Sequence, residues 1–470
     1  MNTPAPSSKL SIPVASRRDF LRQFGMGVGS IGLAGLLQSG LCPNRAMGMA
    51  NSPLAPRQPH IAPKARRILH LFAQGAPSHI DTFDPKPNLA KYDGKLIESL
   101  DGYAFASPFK FSNRGKSGIP ISEVFPMLGE FADDMTIIRS LHTDVPDHIS
   151  STYMMNTGQG RLPRPSMGAW MIYGLGSDNQ NLPGFISLAP GAIPFGNQNL
   201  RSAFLPGYCQ GTYINTANTD VQKVIDNIRN NYVTTREQRS QLDLVNKLNS
   251  RFKTDDALET RIQSFELAFQ MQMEATDVFD ISKEPQEVRD RYAADTPQGR
   301  QMLIARRLLE RGVRVVQAWH SSWDHHQDIG SALPGRAREV DKPIAALLAD
   351  LKQRGLLEDT LVLWGGEFGR MPRKQLPTAD IKASTPPGRD HNARGFCCWL
   401  AGGGVKKGCV YGSTDELGYQ AVENQVHVHD LHATIMKLMG FEHEKLTYRY
   451  NGRDFRLTDV YGTVVDDVIA

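Results

Sequence analysis

"VRVVQAWHSSWDHHQD", residues 313–328, opens as an apolar run rich in β-branched and aromatic residues and closes with two carboxylates and two imidazoles between positions 324 and 328. The run reads as a buried strand, so its polar end falls at a strand's carboxyl edge. Other stretches repeat the arrangement. "RILHLFAQG" (67–75) leads into "SHIDTFD" with His79, Asp81 and Asp84, and "MTIIRSLHT" (135–143) leads into His142, Asp144, Asp147 and His148. "TLVLWGGEFGR" (360–370) ends with Glu367 and Arg370, while "GRDHNARG" (388–395), with Arg389, Asp390 and His391, precedes the apolar "FCCWLAGGG". "GFISLA" (184–189) adds one more strand. Between these runs, residues 338–354 place Val340, Ile344, Leu347 and Leu351 on one helical face, and "VHDLHATIMKLMG" (428–440) reads as a helix closed by Gly440. Strands alternating with helices predict an α/β fold with a mostly parallel central sheet and helices on both faces. In such sheets functional groups gather beyond the carboxyl ends of the strands.

Acid and histidine clusters at one edge repel unless protons or a cation neutralise them. Imidazole nitrogen and carboxylate oxygen suit one or two divalent ions, Zn²⁺ first, with Mn²⁺ or Ca²⁺ as alternatives. Such ions polarise a phosphoryl or sulfuryl oxygen and acidify bound water. Arg370 and Arg389 are candidates to steady a transferring anion, with a structural counter-ion role as the competing reading. Ser150 and Ser151 fall where a helix starts, so either is a candidate nucleophile beside a dipole that favours anions, or simply an N-cap. The His-rich string from His427 to His432 reads mainly as a helix start with Asp430 near the N-cap. Gly402–Gly404 lacks the Lys-Ser/Thr of a phosphate loop, and no haem, iron–sulfur or dinucleotide motif is present.

The 470 residues hold 40% hydrophobic and 22% charged positions with a net charge of +4, and no basic run points to nucleic acid. Arg17 and Arg18, followed by Phe20, Leu21 and a Gly-rich apolar stretch from Phe24 to Leu41, resemble a twin-arginine export signal over residues 1–50. That implies the twin-arginine machinery as partner, a periplasmic or extracytoplasmic location, and no integral membrane domain apart from the signal. A Pro-rich linker is expected over 51–65, then one domain over 66–470 with a helical insertion at about 221–290. Cysteines 209, 397, 398 and 409 form no Cys-x-x-Cys pair; Cys397 and Cys398 read as packed thiols, while an oxidising compartment permits Cys209 to pair with Cys409.

The motifs "SRRDFL", "APSHIDTFDPKP", "HISSTYMMNTGQG", "RPSMGAWMIYGLGS", "FLPGYCQGT", "SWDHH", "GGEFGR", "GRDHNARGF", "YGSTDELGYQAVENQVHVHDLHATIMKLMG" and "LTYRYNGRDFRLTDVYG" run in order across nearly the whole chain. Through them the chain resembles the twin-arginine-exported, sulfatase-like family numbered fifteen-oh-one among the domains of unknown function, in the alkaline phosphatase superfamily. The resemblance implies an alkaline-phosphatase-like fold and a metal cleft for phosphate or sulfate esters. It implies Asp324, His326 and His391 as ligands of one ion. For a second ion it implies Asp81 or Asp84, Glu367 in place of the usual Asp-His pair, and Asp390 as compensation. Where related sulfatases carry a Cys or Ser that is the nucleophile, this chain has His148, so formylglycine cannot form there. Either His148 is a ligand and a metal-activated water attacks, or Ser150 or Ser151 does; phosphate is the favoured ester. The alternative is a non-catalytic envelope protein, binding or scaffolding, that retains the fold.

Overall fold

The computed structural model describes residues 54–220, 233–249, 277–378 and 384–470, with residue 381 and a few positions between 262 and 269. The chain divides into two compact units, 45–226 with 273–470, and 1–44 with 227–272. The larger unit carries the sheet. Its strands used below are β1 (Arg67–Ala73), β2 (Met135–His142), β3 (Phe185–Ala189), β4 (Thr212–Asn215), β5 (Val315–His320), β6 (Thr360–Gly365), β7 (Gly369–Arg370), β8 (His391–Asn392), β9 (Phe396–Ala401), β10 (Cys409–Tyr411) and β11 (Val426–His427). The main sheet runs β10-β2-β9-β6-β1-β5-β3-β4, with β11 also paired to β2. Its pairings are parallel except that β9 runs antiparallel to both β6 and β2.

Strands β3, β5, β6 and β9 are buried at every residue. Both faces of the sheet are therefore covered, which is why these strands read as continuous apolar runs rather than alternating ones. The expected α/β fold with a mostly parallel central sheet is the observed one. Register places Ala73 of β1 beside His320 of β5, and Phe72 beside Gly365 of β6. The loops that follow β1, β5 and β6 thus leave one edge together, and β2, which shares their direction, ends at that edge too.

The helices used below are α1 (His148–Thr157), α2 (Met167–Leu175), α3 (Pro297–Glu310), α4 (Ile329–Gln353) and α5 (Val428–Leu438). Helix α4 starts at Ile329 rather than at 338, directly after the polar cluster, and accommodates Pro334 and Pro343. The described part of the Pro-rich stretch is fixed rather than free: the Arg57, Ile61 and Ala65 N–H groups donate to the carbonyls of Leu175, Gly440 and Leu438 at 2.9–3.0 Å. Residues 1–50 lie outside the described residues, as does much of 221–290. Of the latter, Gln286–Arg291 is a helix of the larger unit. In the smaller unit Thr235–Asn249 is a helix, started by a reciprocal cap between Thr234 and Glu237. Cys209, Cys397, Cys398 and Cys409 are all free thiols. The pairing of Cys209 with Cys409 is corrected on topology: Cys409 lies on β10 at one end of the sheet, and Cys209 just precedes β4 at the other. No described helix is long and apolar enough to cross a membrane.

Candidate metal centre

Three segments build the centre: the start of α1, the loop after β5 and β8. Asp324 and His326 follow β5 on a segment anchored by Trp323, whose N–H donates to the Gln74 carbonyl (3.2 Å) and whose buried indole N–H donates to His320 Nδ1 (2.9 Å). His320 in turn donates through Nε2 to Glu339 on α4 (2.8 Å), so the segment is clamped between sheet and helix. His148 is the first residue of α1, and the cap is Asp147, which accepts from the Ser150 N–H at 2.8 Å. His391 opens β8, which pairs with β7 so that His391 lies opposite Arg370.

These elements bring His148, Asp324, His326 and His391 together, one donor atom from each lying within 4.8 Å of the others. Every imidazole is turned the same way. His148 Nδ1 is 2.6 Å from Glu367 Oε1, His326 Nδ1 is 2.8 Å from Gln375 Oε1, and His391 Nδ1 is 2.8 Å from the Pro146 carbonyl. Each partner is an acceptor, so Nδ1 carries the proton and Nε2 turns inward, the arrangement that orients metal-binding histidines. Inside, Nε2 of His326 and Nε2 of His391 stand 2.9 Å apart. His326 and His148 Nε2 lie 3.0 and 3.2 Å from Asp324 oxygens. Buried His148 Nε2 has no hydrogen-bond partner. Two imidazole lone pairs at such a distance repel unless a proton or cation lies between them, and three nitrogens with one carboxylate oxygen form a donor set suited to Zn²⁺. The residues fit a divalent ion.

Without an ion, protons balance the charges of the centre. Burial by itself would lower the His148 pKa, but the Asp324 and Glu367 carboxylates beside it outweigh burial and raise it to about 9. Burial would raise the Asp324 pKa, yet the three imidazoles around it and the charge of Arg370 hold its carboxyl far below the usual carboxylate range. Asp324 is 40% exposed, so the centre opens to solvent. His325, between two of the four donors in sequence, stays outside the group; it is buried, and its pKa is pushed down by burial to about 4.

Several residues expected at the site stand elsewhere in its wiring. Asp81, expected as a ligand, and Arg389, expected to bind substrate, are bonded to each other at 2.6 and 3.1 Å, both fully buried. The Arg389 guanidinium also lies over the Phe105 ring, so it is a structural counter-ion. Asp84 is held by Lys86 and Thr414, and Asp390 by Arg373 at 3.2 Å and its neighbour's N–H. Glu367 accepts from the Gly75 N–H (2.9 Å) as well as from His148, so it orients a ring. Arg370 is buried and donates to Asp324, which leaves it beside the centre but without an exposed face for substrate. Ser151 is buried and its hydroxyl donates to the Val145 carbonyl (2.5 Å). Neither it nor Ser150 is the N-cap. At α5 the N-cap is His427 itself, which accepts from the His429 N–H, with Asp430 at N3 closing a capping box. Gln375 and the Pro146 carbonyl were not singled out in the sequence, because a lone loop amide and a main-chain oxygen carry no local signal.

No curated protein shows significant similarity to the chain. Similar solved structures include the PsFucS1 sulfatase from Pseudoalteromonas sp., at 14% identity and TM-score 0.35 over 83% of this chain and 69% of that one. The lipoteichoic acid synthase LtaP from Listeria monocytogenes is 10% identical with TM-score 0.35, over 89% and 78% of the two chains. The alkaline phosphatase from the Antarctic bacterium TAB5 is 12% identical with TM-score 0.30, over 76% and 96%. The family described as Protein of unknown function (DUF1501) matches residues 65–469, and the chain belongs to that family.

Proposed function

We propose that the protein is an exported, metal-dependent hydrolase of phosphate or sulfate esters, with phosphate favoured and with polysaccharide-linked esters among its substrates. The observation that carries the reading is the set of four convergent donors, with all three imidazoles oriented Nε2-inward by acceptors behind them. When bound there, a divalent ion, Zn²⁺ first, would polarise the ester oxygen and make water more acidic. The chain's own groups do the rest. Glu367, Gln375 and the Pro146 carbonyl fix the ring tautomers, and the Arg370 guanidinium donates to Asp324, whose carboxyl is held far below the usual carboxylate range. The buried Ser151 hydroxyl is committed to a carbonyl, which favours water over this serine as nucleophile. Export through the twin-arginine machinery rests on Arg17 and Arg18; changing both to Lys is expected to hold the protein in the cytoplasm.

The test is metal content by mass spectrometry on full-length protein from its own host, with turnover of phosphate mono- and diesters and of sulfate esters, for wild type and Asp324→Asn. Bound ion and ester turnover, both lost in the variant, are expected. Absence of metal overturns the reading; metal without turnover of any ester replaces it with a binding or scaffold role in the envelope.

A further inference from the structure

Three of the acids around the centre are neutralised by the chain itself. Asp81 is bonded by Arg389, Asp390 by Arg373, and Asp84 by Lys86. Glu367 spends one oxygen on His148 and the Gly75 N–H. Among the described residues no second group of three or more acid, histidine or cysteine donors converges. Arg370 stands apart because its guanidinium is fully buried and shares Asp324 with the centre. Nε donates to the Ala76 carbonyl (2.9 Å), Nη1 to the Arg389 carbonyl (3.1 Å) and towards His326 Nε2 (3.5 Å), and Nη2 to the Gly75 carbonyl and Asp324. Four of its five N–H groups are thereby committed to oxygens. A guanidinium keeps its charge, and the one N–H of Arg370 not committed to an oxygen points at His326 Nε2, 3.5 Å away.

We propose that the centre takes one divalent ion and that Arg370 is a built-in second positive charge, a positioning residue that fixes Asp324 and acts on a bound anion through its field. This rests on the metal-centre reading above. The three carbonyls that hold the guanidinium come from the loop after β1 and the segment before β8, so the charge is set in the sheet edge rather than on a mobile side chain. A buried charge a few ångströms from the ligands is poorly screened and adds to the ion's attraction for an oxyanion.

The experiment strips full-length protein with a chelator, titrates Zn²⁺ by calorimetry, and then titrates inorganic phosphate into the loaded protein. Wild type is expected to bind one equivalent of zinc. Arg370→Met, with zinc stoichiometry still one, is expected to bind phosphate at least about tenfold more weakly, and Arg370→Lys to recover most of that loss. A purely structural role for Arg370 would alter melting temperature in both variants without this split between Met and Lys. Two zinc equivalents in wild type, or unchanged phosphate affinity in a folded Arg370→Met, overturn the proposal. Should Arg370→Met fail to fold, wild-type stoichiometry and Arg370→Lys decide it: phosphate affinity more than tenfold down in the folded Lys variant counts against a field effect. Zero equivalents would instead sink the metal-centre reading itself.

Discussion

Glu367 shows how one side chain can govern a site it does not enter. Fully buried, it accepts a hydrogen bond from His148 Nδ1 at 2.6 Å and leaves Oε2 without a partner. A carboxylate behind a ligating imidazole raises its basicity and fixes its ring, and removing such partners typically lowers metal affinity about 10–100-fold. Glu367→Gln keeps the volume and one acceptor, so zinc affinity measured by competition with a chelating dye should fall in that range while the fold is retained; unchanged affinity would strip Glu367 of this role. His148 gives a pH signature. Its pKa in the folded protein, about 9, lies above the ordinary 6.5, so the ion pairs with Asp324 and Glu367 stabilise the fold fully below the ordinary value. That contribution is lost as pH rises through the folded value. In chelator, the stability gap between wild type and His148→Gln, measured by urea unfolding, should narrow from about pH 6 to about pH 10; a constant gap would contradict the pairing. The four donors were legible because each ends an apolar run or opens the next. Asp81 with Arg389 was not, since a pairing across 308 positions leaves no local trace.

Among elements, the end of β1 and the loop after β5 depend on each other. Gly75 has φ +108°, and a Cβ there would lie 2.7 Å from the backbone nitrogens of both Trp323 and Asp324. Neither backbone can yield without moving the segment that carries Asp324 and His326. Gly75→Ala is therefore expected to cost more than about 1 kcal/mol of stability and to weaken zinc binding, read by thermal melts and zinc titration on one preparation. Loss of stability with intact zinc affinity would show that the loop adjusts independently of the centre. Asp147→Ala, which removes the α1 cap next to His148, should cost about 0.5–2 kcal/mol. Strands were legible as elements because burial on both faces forces continuous apolar runs. The start of α4 was not: "IGSALPG" (329–335) carries two glycines and a proline, and it is helical because packing of Ile329 and Leu333 in the core overrides weak local propensity.

For the whole molecule, the centre works as a crosslink. Its donors lie on α1, on the loop after β5 and on β8, and His326 and His391 alone are 65 positions apart. Topology brings them to one sheet edge, and that convergence was readable only as strands ending in polar clusters; which clusters would touch depended on strand order, which the sequence does not state. An unfolded chain holds no such preformed set, so an ion that binds the folded state stabilises it by mass action, about 2.7 kcal/mol at one hundred times its dissociation constant. For a chain of this size that corresponds to a rise in melting temperature of about 3–5 °C. Melts of chelator-treated protein over a zinc series should show a rise that grows with the logarithm of free zinc, and Asp324→Asn should abolish it. Residual zinc dependence in that variant would place the ion elsewhere. A flat series in wild type would mean that the convergent imidazoles are held together by protons alone.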